Sequence, residues 1–353
     1  MHKIINLTVR DVRFPTSLEQ HGSDAMHTDP DYSVAYVVID TDSGLKGFGL
    51  TFTLGKGTEI VPKGRPRRKS VFLHFYFKYP AEAEAVQPVN SEDQMLKEGY
   101  PAYTTSCAWI GYSDQHLKQL CTDALKSGWT KFKVKVGADL EDDKRRCRII
   151  RQMIGPNATL MIDANQRWDV AEAISWVTSL AEFKPLWIEE PTCPDDILGH
   201  AAISKALAPL GIGVATGEQC HNRVMFKQFL QASALQFVQI DSCRLGSVNE
   251  NLAVLLMAHK FQVPVCPHAG GVGLCELVQH LILFDYVCVS GSLSNRMCEY
   301  VDHLHEHFTS PVVICDAHYM TPKDPGYSCE MLESSVQKHQ YPEGDVWKVH
   351  MNR

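Results

Sequence analysis

The amino-acid sequence predicts an α/β protein: a (β/α)8 barrel of the TIM type with a smaller N-terminal domain. Three observations predict this fold. From about Tyr100 onward, short apolar runs rich in Val, Ile and Phe alternate with longer amphipathic segments, as parallel strands alternate with helices. The alternation yields eight candidate strands, and polar groups follow them at steps of about one β/α unit. The glycine-rich first turn of a doubly wound nucleotide-binding sheet is absent, which favours the barrel.

Length and composition limit the classes of function. The chain has 353 residues, of which 44% are hydrophobic and 21% charged, as in ordinary globular proteins. A net charge of -7 argues against a polyanion, so we expect a small-molecule ligand and no nucleic acid. The 12 cysteines include no C-x-x-C pair, and no uncharged apolar run approaches the roughly 18 residues of a membrane helix. We therefore expect reduced thiols, no membrane partner and an intracellular protein.

The N-terminal part differs from the rest of the chain. Residues 1–60 have the pattern of a small β unit with two strands and a turn, at Ile4–Val9, Ser33–Ile39 and Asp42-Ser43-Gly44. Residues 60–92 are atypical, because a basic, proline-interrupted run precedes an aromatic-rich stretch that matches neither neighbour. We assign residues 1–92 to an N-terminal domain and residues 93–353 to the barrel domain.

The predicted barrel strands carry functional groups at their carboxyl ends. The strands are Ala102–Trp109, Lys131–Val136, Leu160–Asp163, Leu186–Glu189, Gly213–Thr216, Phe237–Asp241, Val263–Pro267 and Tyr286–Val289. From the second strand onward, each strand has one polar group at or beyond its carboxyl end, in the order Lys135, Asp163, Glu189, Glu218, Asp241, His268 and Glu299. Because the carboxyl ends of barrel strands meet at one mouth, we expect these groups to surround a single ligand.

Three of these groups are carboxylates on successive strands. Asp163, Glu189 and Glu218 repel one another at the end of apolar strands unless a cation neutralises them. An all-oxygen donor set favours Mg²⁺ over zinc, which prefers Cys and His. The structural alternative is that each carboxylate caps a helix or pairs with a basic side chain. This alternative explains a single carboxylate better than three carboxylates at the ends of successive strands.

Candidate acid and base groups flank the carboxylates. Lys133 and Lys135 lie two residues apart on one face of a strand, where each ammonium lowers the pKa of the other, so that one lysine can act as a base. The alternative is a pair of exposed lysines on an edge strand, which a closed barrel does not have. Asp241 and His268 end neighbouring strands, where a carboxylate can fix a histidine tautomer. A structural salt bridge explains a glutamate at position 299 as well as a role at the site does.

Together these motifs resemble a known family. A K-x-K strand followed by D-x-N, E-E-P, G-E, I-D and a P-H loop, one per strand, is similar to the mandelate-racemase-like branch of the enolase superfamily, and within it to the L-fuconate dehydratases. The similarity runs from about Asp93 almost to the C-terminus and returns in residues 1–60. In the family, a helical bundle joins the β unit to the barrel, and residues 60–92 are too short to supply it. The resemblance therefore implies that residues 1–92 are an incomplete α+β capping domain, which is truncated. In such a domain the loop 22–32 lacks the support of the bundle.

The resemblance implies a mechanism and a set of residues. It implies that an acid sugar binds Mg²⁺ through its carboxylate and that a base removes the α-proton to give an enediolate. By this resemblance Asp163, Glu189 and Glu218 bind the metal, Lys135 is the base at C2, and His268, oriented by Asp241, is the acid at the 3-hydroxyl. The implied substrate-binding residues are Gly22, Ser23, Asp24, Tyr32, Lys133, Asn165 and Glu299.

Two other functions remain open at this level. A lysine and a histidine on two sides of a substrate also suit two-base racemisation or epimerisation of a 2-hydroxy acid. The shortened cap can equally leave an inactive protein with an intact set of site residues. The resemblance implies the mitochondrial matrix, with the cytosol as the alternative, and it leaves a homo-oligomer open.

Overall fold

Three antiparallel strands form the N-terminal sheet. They are β1 (Ile4–Arg13), β2 (Ser33–Thr41) and β3 (Lys46–Thr53), in the order β1-β2-β3. The predicted turn lies between β2 and β3, where Gly44 has a φ of +81° that a side chain would strain. This computed structural model describes residues 3–58 and 91–351. The atypical segment 60–92 therefore lies outside the described residues, except for the two that begin helix α1 (Ser91–Glu98).

The predicted barrel is confirmed. Its parallel strands run in chain order around the ring and close where the last pairs with the first: β4 (Tyr100–Thr104), β5 (Lys131–Lys135), β6 (Thr159–Asp163), β7 (Trp187–Glu189), β8 (Gly213–Thr216), β9 (Phe237–Val238) and β10 (Cys298–Tyr300). Between β9 and β10, residues 265–268 take the seventh strand position. Val265 bridges Val238, and Glu299 N donates to Pro267 O at 3.1 Å.

The eighth predicted strand is wrong. Tyr286–Val289 lies in a π-helical extension, Asp285–Ser290, of the helix that ends at Phe284. The strand that closes the barrel is β10, which pairs in parallel with β4. A short apolar run cannot be assigned to a strand or to a buried helix by its periodicity alone, which accounts for the error. The first strand also ends earlier than predicted, at Thr104, and the chain then leaves the sheet.

Helices surround the barrel, and most of those that follow a strand begin at a polar cap. The side chains of Ser113, Asp139, Asp169, Asp196 and Asn222 each accept a backbone N–H of the first turn, which fixes where the helix begins. The helices are α2 (Asp114–Lys126), α3 (Leu140–Ile154), α4 (Val170–Leu180), α5 (Ile197–Leu207), α6 (Arg223–Gln231), α7 (Val248–Lys260) and α8 (Leu274–Phe284).

The C-terminal segment ties the N-terminal sheet to the barrel. It contains β11 (Ile314–Cys315), β12 (His318–Tyr319), α9 (Glu333–His339) and α10 (Asp345–Met351). The indole of Trp347 donates to Arg13 O at 3.0 Å, and Met331 N donates to Tyr36 Oη at 3.1 Å. β12 pairs with β4, so the same segment contacts both parts. None of the helices in the described residues has the length and apolar character needed to cross a membrane.

The barrel interior is filled below its mouth. Large side chains from several strands form one buried cluster at its centre, with Tyr103, Met161, Trp187, Ala215, Phe237, Cys266 and Met297. The layer above this cluster is polar and charged, and it includes Lys133, Asp163 and Glu189, each at most 1% exposed. An apolar floor beneath buried charges keeps water away from them and strengthens their interactions.

Candidate active site

A small cavity lies where the N-terminal loop meets the mouth of the barrel. Its volume is about 40 Å³, and the loop and barrel both line it: Gly22, Asp24, His27, Tyr32, Phe52, Leu54, Trp109, Lys135, Asn165, Gln166, Glu218, Gln219, Arg244, His268, Gly270 and Glu299. Eight of these sixteen residues are predicted site residues. The cavity has room for only a few water molecules.

Two of the predicted metal-binding carboxylates lie side by side beneath the cavity. Asp163 ends β6 and Glu189 ends β7, the two are paired in the parallel ladder, and neither is exposed. The ammonium of Lys133 lies between them, 3.1 Å from Asp163 Oδ2 and 2.5 Å from Glu189 Oε1. Glu218 follows β8 and lines the cavity, with Oε2 3.3 Å from His268 Nε2. All three carboxylates therefore lie at one mouth.

Burial and repulsion change the pKa of these carboxyl groups. Burial, followed by the charge of Asp163, raises the pKa of Glu189 to about 8. Burial likewise raises the pKa of neighbouring Glu190 well above its usual range, and Glu218 and Asp163 add to the effect. Asp163 is the exception, because Lys135 and Lys133 overcome its burial and lower its pKa to about 2. The site therefore holds more carboxylates than its lysines neutralise.

This donor set fits a hard divalent cation. Oε1 of Glu190 is buried and has no hydrogen-bond partner among the described residues. The other candidate donors are also carboxylate oxygens, which Mg²⁺ prefers. Within residues 3–58 and 91–351, no three His, Cys, Asp or Glu side chains are already grouped as ligands of one ion. The Lys133 ammonium lies between Oδ2 of Asp163 and Oε1 of Glu189 instead.

The two lysines are held as ammonium ions, because neighbouring carboxylates outweigh both burial and the repulsion between the lysines that the sequence predicts. Burial lowers the pKa of Lys135 and Lys133 adds to this, but the carboxylate of Asp163, 2.6 Å away, outweighs both and raises it. The pKa of Lys133 is likewise raised despite burial, by Glu189 and Glu299. The Lys135 ammonium also donates to Asn165 Oδ1 at 2.9 Å.

Asp241 and His268 form the predicted pair. Nδ1 of His268 lies 2.8 Å from Oδ2 of Asp241, and both side chains are at most 5% exposed. Burial opposes a charge on the imidazole, but Glu218 and Asp241 overcome it and raise the pKa of His268. The pKa of Asp241 is held well below its usual range despite burial, chiefly by Arg244. His268 therefore presents Nε2 to the cavity with Nδ1 fixed.

The predicted loop residues lie over the mouth of the barrel. Gly22, Asp24 and Tyr32 line the cavity. Ser23 does not line it, and instead anchors the loop: Ser23 O accepts Ile110 N at 3.1 Å and Ser23 Oγ accepts Gly111 N at 2.9 Å. The loop is therefore supported by the chain that follows β4.

Glu299 and Asn165 complete the predicted set. Glu299 Oε1 lies 2.8 Å from Lys133 Nζ, and Oε2 accepts Ala269 N at 3.0 Å. Asn165 N donates to Asp163 Oδ1 at 3.0 Å, which orients that carboxylate. Glu299 therefore has the salt bridge that the sequence analysis considered, and it also lines the cavity.

Sequence analysis missed several residues of the cavity wall. Arg244 donates to Asp241 Oδ2 at 2.9 Å and lies 3.5 Å from Glu218. Gln166 donates from Nε2 to Glu190 Oε2 at 2.9 Å, and Trp109 places its ring 5.4 Å from Lys135 Nζ. Their closeness along the chain to predicted site residues could have revealed two of them, since Arg244 follows Asp241 by three residues and Gln166 directly follows the D-x-N motif.

Comparison with known families places this fold and site in a class. Residues 116–335 match the family described as Enolase C-terminal domain-like. This match spans well over half of the chain and includes the K-x-K strand, the three carboxylates and the Asp241–His268 pair. The chain belongs to the enolase superfamily, as its motifs predict.

Closer similarities are to named members. The chain is 60% identical to mitochondrial enolase superfamily member 1 of Xenopus laevis, over 98% of this chain and 97% of the relative. The crystal structure of human mitochondrial enolase superfamily member 1 is 58% identical with a TM-score of 0.91, over 100% of this chain and 99% of that one. An L-galactonate dehydratase of Hypocrea jecorina is 43% identical, over 94% of this chain and 93% of the relative.

Two further findings concern the length of the relatives and the fold. The alignment with the Xenopus laevis protein runs over 431 positions, more than the chain has residues, so the relative carries positions without a counterpart here. An L-talarate/galactarate dehydratase of Salmonella typhimurium shares the fold at 20% identity and a TM-score of 0.74, over 95% of this chain and 92% of that one. Its crystal structure is liganded with Mg and L-lyxarohydroxamate.

Proposed function

We propose that this protein is a Mg²⁺-dependent acid-sugar dehydratase that converts L-fuconate to 2-keto-3-deoxy-L-fuconate. The observation that carries the proposal is that Lys135 and His268, which is paired with Asp241, line one cavity from different strands, with the carboxylate cluster beside them. Removal of a proton at one carbon and loss of a hydroxyl from the next require a base and an acid at one substrate.

The carboxylates of Asp163, Glu189 and Glu218 hold the cation in this proposal. Mg²⁺ bound there supplies a Lewis acid to the substrate carboxylate, which acidifies the C2 proton, and takes up carboxylate charge that otherwise keeps Lys135 protonated. Lys133 contacts Asp163, Glu189 and Glu299, so its ammonium is placed to share the charge that develops on the substrate carboxylate.

The proton transfers follow from the positions of Lys135 and His268. Nζ of Lys135, in its neutral form, takes the proton from C2. The imidazolium of His268 gives its Nε2 proton to the 3-hydroxyl, the C3–O bond breaks and water leaves. The remaining enol tautomerises to the 2-keto-3-deoxy acid. Asp241 keeps Nδ1 protonated throughout, because its carboxylate accepts that N–H at 2.8 Å.

The similarity to an L-galactonate dehydratase supports the choice of sugar. L-Fuconate is L-galactonate without the hydroxyl at C6, so both present the same groups at C2 and C3. Phe52 and Leu54 give the cavity an apolar wall. An apolar wall favours a terminal methyl over a hydroxymethyl group, since the hydroxyl would be buried without a partner.

The test is formation of a 2-keto acid by the purified protein with Mg²⁺, from L-fuconate and L-galactonate in parallel. We expect keto-acid formation that needs Mg²⁺ and a higher kcat/KM for L-fuconate. Lys135→Ala should abolish turnover while Mg²⁺ binding, followed by calorimetry, remains. Lys131→Met, on the same strand but away from the mouth, is the matched control. Dehydration that survives in Lys135→Ala would show the base assignment to be wrong.

The same assay separates the alternatives. A racemase or epimerase, which the same pair of groups suits, gives a stereoisomer of the substrate and no keto acid. An inactive protein gives neither product, and a cooperative thermal melt on the same sample shows whether its fold is intact. Dehydration of L-galactonate with none of L-fuconate would keep the reaction and overturn the proposed substrate.

We further propose the mitochondrial matrix as the compartment. The support is the name of the relatives that share about 60% identity with this chain. A carboxyl-terminal fluorescent fusion of the full chain that colocalises with a matrix marker is the expected result, and an even cytosolic distribution would contradict the proposal.

A further inference from the structure

The guanidinium of Arg146 lies directly behind the site, on α3. Arg146 is 2% exposed. Its Nη1 donates to Lys135 O at 2.6 Å, and its Nη2 donates to Ala108 O at 2.9 Å and to Trp109 O at 3.1 Å. Its one ion pair within the described part of the chain is with Asp143, at 4.0 Å. A buried cation is thus paired mainly with main-chain carbonyls.

These carbonyls lie where two barrel strands separate. β4 and β5 are paired at Thr104 and Phe132, and beyond this point the chain that follows β4 leaves the sheet. A hydrogen bond still joins the two segments there, in which Lys135 N donates to Ala108 O at 3.2 Å. Arg146 donates three further hydrogen bonds at this gap, to Lys135 O, Ala108 O and Trp109 O. Two of these carbonyls also accept a backbone N–H, Ala108 O from Lys135 and Trp109 O from Tyr112.

Two of the three carbonyls belong to residues that line the cavity, Lys135 and Trp109. Lys135 is the proposed base, and the ring of Trp109 lies 5.4 Å from its Nζ. The indole N–H of Trp109 is buried and unpaired among the described residues, although Trp109 lines the cavity. The next two residues, Ile110 and Gly111, donate their N–H groups to Ser23. One guanidinium therefore connects the base, an aromatic wall and the anchor of the loop.

Stability alone does not account for this arrangement. Burying a guanidinium costs several kcal/mol, and an apolar side chain of similar volume commonly stabilises a fold as well or better. Burial lowers the pKa of Arg146, which agrees with an environment that opposes its charge. What an apolar side chain cannot do is hold three carbonyls from two segments at fixed positions.

We propose that Arg146 is a positioning residue, which fixes Lys135 and Trp109 relative to each other and to the loop anchored at Ser23. The inference rests on the proposed function for the role of Lys135. Loss of these bonds lets the chain at 108–111 move relative to β5, and a displacement of about 1 Å at a base costs roughly 100-fold in rate.

The test compares Arg146→Gln with Arg151→Gln. Arg151 lies on the same helix and also donates to main-chain carbonyls, those of Gly155, Ala158, Phe183 and Lys184, but at the opposite end of the barrel. We expect kcat to fall about 100-fold in Arg146→Gln, with KM changed less than threefold. Arg146→Lys should recover part of the loss, and Arg151→Gln should keep the kcat of the natural protein.

Hydrogen–deuterium exchange gives a readout that does not depend on the reaction. The amides of residues 108–111 and 135 should exchange at least tenfold faster in Arg146→Gln than in the natural protein. In Arg151→Gln their exchange rates should be unchanged. Unchanged exchange at these amides, or an equal loss of kcat in both variants, would overturn the inference. If Arg146→Gln gives no cooperative melt, Arg146→Lys is compared with Arg151→Lys in the same way. If the natural protein is inactive on every acid sugar, the proposed function is refuted. Faster amide exchange in Arg146→Gln would still support the positioning role.

Discussion

The Nδ1 atom of His268 lies 2.8 Å from Oδ2 of Asp241, and that oxygen also accepts a hydrogen bond from Arg244 at 2.9 Å. Oδ1 of Asp241 accepts the N–H groups of Cys243 and Arg244, so the carboxylate cannot rotate without losing several bonds. A fixed acceptor for Nδ1–H leaves Nε2 as the atom of His268 that exchanges protons with a substrate.

Asp241→Asn should separate the two proton transfers. The amide can turn its NH₂ towards Nδ1, which selects the wrong tautomer and removes the charge that stabilises the imidazolium. We expect keto-acid formation to fall by about 10²–10³-fold, since acid catalysis at this position is lost. Exchange of the C2 proton with D₂O, which uses Lys135, should continue and can be followed by NMR.

Glu276→Gln is the matched control for Asp241→Asn. Glu276 forms another buried carboxylate–histidine pair, with Oε1 2.7 Å from His305 Nδ1, and it does not line the cavity. Keto-acid formation should be unchanged in this variant. Equal loss of dehydration and of C2 exchange in Asp241→Asn would assign Asp241 to the fold and not to the acid.

Mg²⁺ should stabilise the folded protein, and Glu189→Gln should remove most of that effect. A ligand at a hundred times its dissociation constant stabilises the folded state by about 2.7 kcal/mol, which raises the midpoint of a thermal melt. Glu189 supplies a buried carboxylate to the proposed site, and its neutral amide is a weaker Mg²⁺ ligand. Melts with Mg²⁺ and with a chelator measure the difference.

Asp285→Asn controls for the loss of a buried carboxylate elsewhere. Asp285 is 1% exposed and pairs with Arg296 at 2.5 Å, outside the cavity. This variant should melt at a lower temperature but keep the full response to Mg²⁺. A response that is as large in Glu189→Gln as in the natural protein would place the cation elsewhere.

Much of the site could be predicted because a barrel turns sequence spacing into spatial order. Lys135 and Asp163 are partners in one parallel ladder, and Asp163 and Glu189 are partners in the next. Each strand thus places its last polar residue at the same level. Pattern and spacing were enough to find these residues, because the ladder register is fixed by backbone geometry alone.

The rest of the site could not be predicted, because it depends on distances and loop conformations. Gln166 and Glu190 have φ angles of +70° and +40°, outside regular structure, where no periodicity applies. Arg146 lies on a helix and reaches the site from behind the strands, so spacing along strands does not reveal it. The pKa of Lys135 depends on whether Lys133 or Asp163 is nearer, and a sequence does not contain that distance.

A half-buried histidine away from the site should make stability depend on pH. Burial lowers the pKa of His280 to about 4, and its ring stacks on Tyr327 at 4.6 Å. Between pH 6.5 and 4, the unfolded chain binds a proton that the native state excludes, so stability is complete above pH 6.5 and falls as the pH falls. His280→Phe keeps the stacking and should lose about 2 kcal/mol of this dependence between pH 7.5 and pH 5.

Urea denaturation at the two pH values measures the effect of His280→Phe. Other buried groups titrate in the same range, so the quantity compared is the difference between the natural protein and the variant. His116→Gln, at an exposed position, should leave the pH dependence as it is. Parallel loss of stability with pH in the natural protein and in His280→Phe would mean that His280 is protonated in both states.

Gly22 sets the position of Tyr32 in the wall of the cavity. A Cβ at Gly22 would lie 2.6 Å from Cζ and Oη of Tyr32, so Gly22→Ala forces the ring to move. The ring also contacts Phe52 and His303, with centroids 5.1 Å and 5.4 Å away, so it cannot move without disturbing both. We expect KM for the acid sugar to rise about tenfold, a loss of about 1.4 kcal/mol of binding energy.

Gly44→Ala distinguishes this contact from strain in the backbone. Gly22 and Gly44 have φ angles of +79° and +81°, so alanine costs a similar backbone strain at either position, about 1 kcal/mol. A Cβ at Gly44 meets nothing within 4 Å among the described residues. Both variants should therefore melt at a lower temperature, but KM should rise in Gly22→Ala only. A rise in KM of the same size in Gly44→Ala would mean that backbone strain, and not the Tyr32 ring, limits substrate binding.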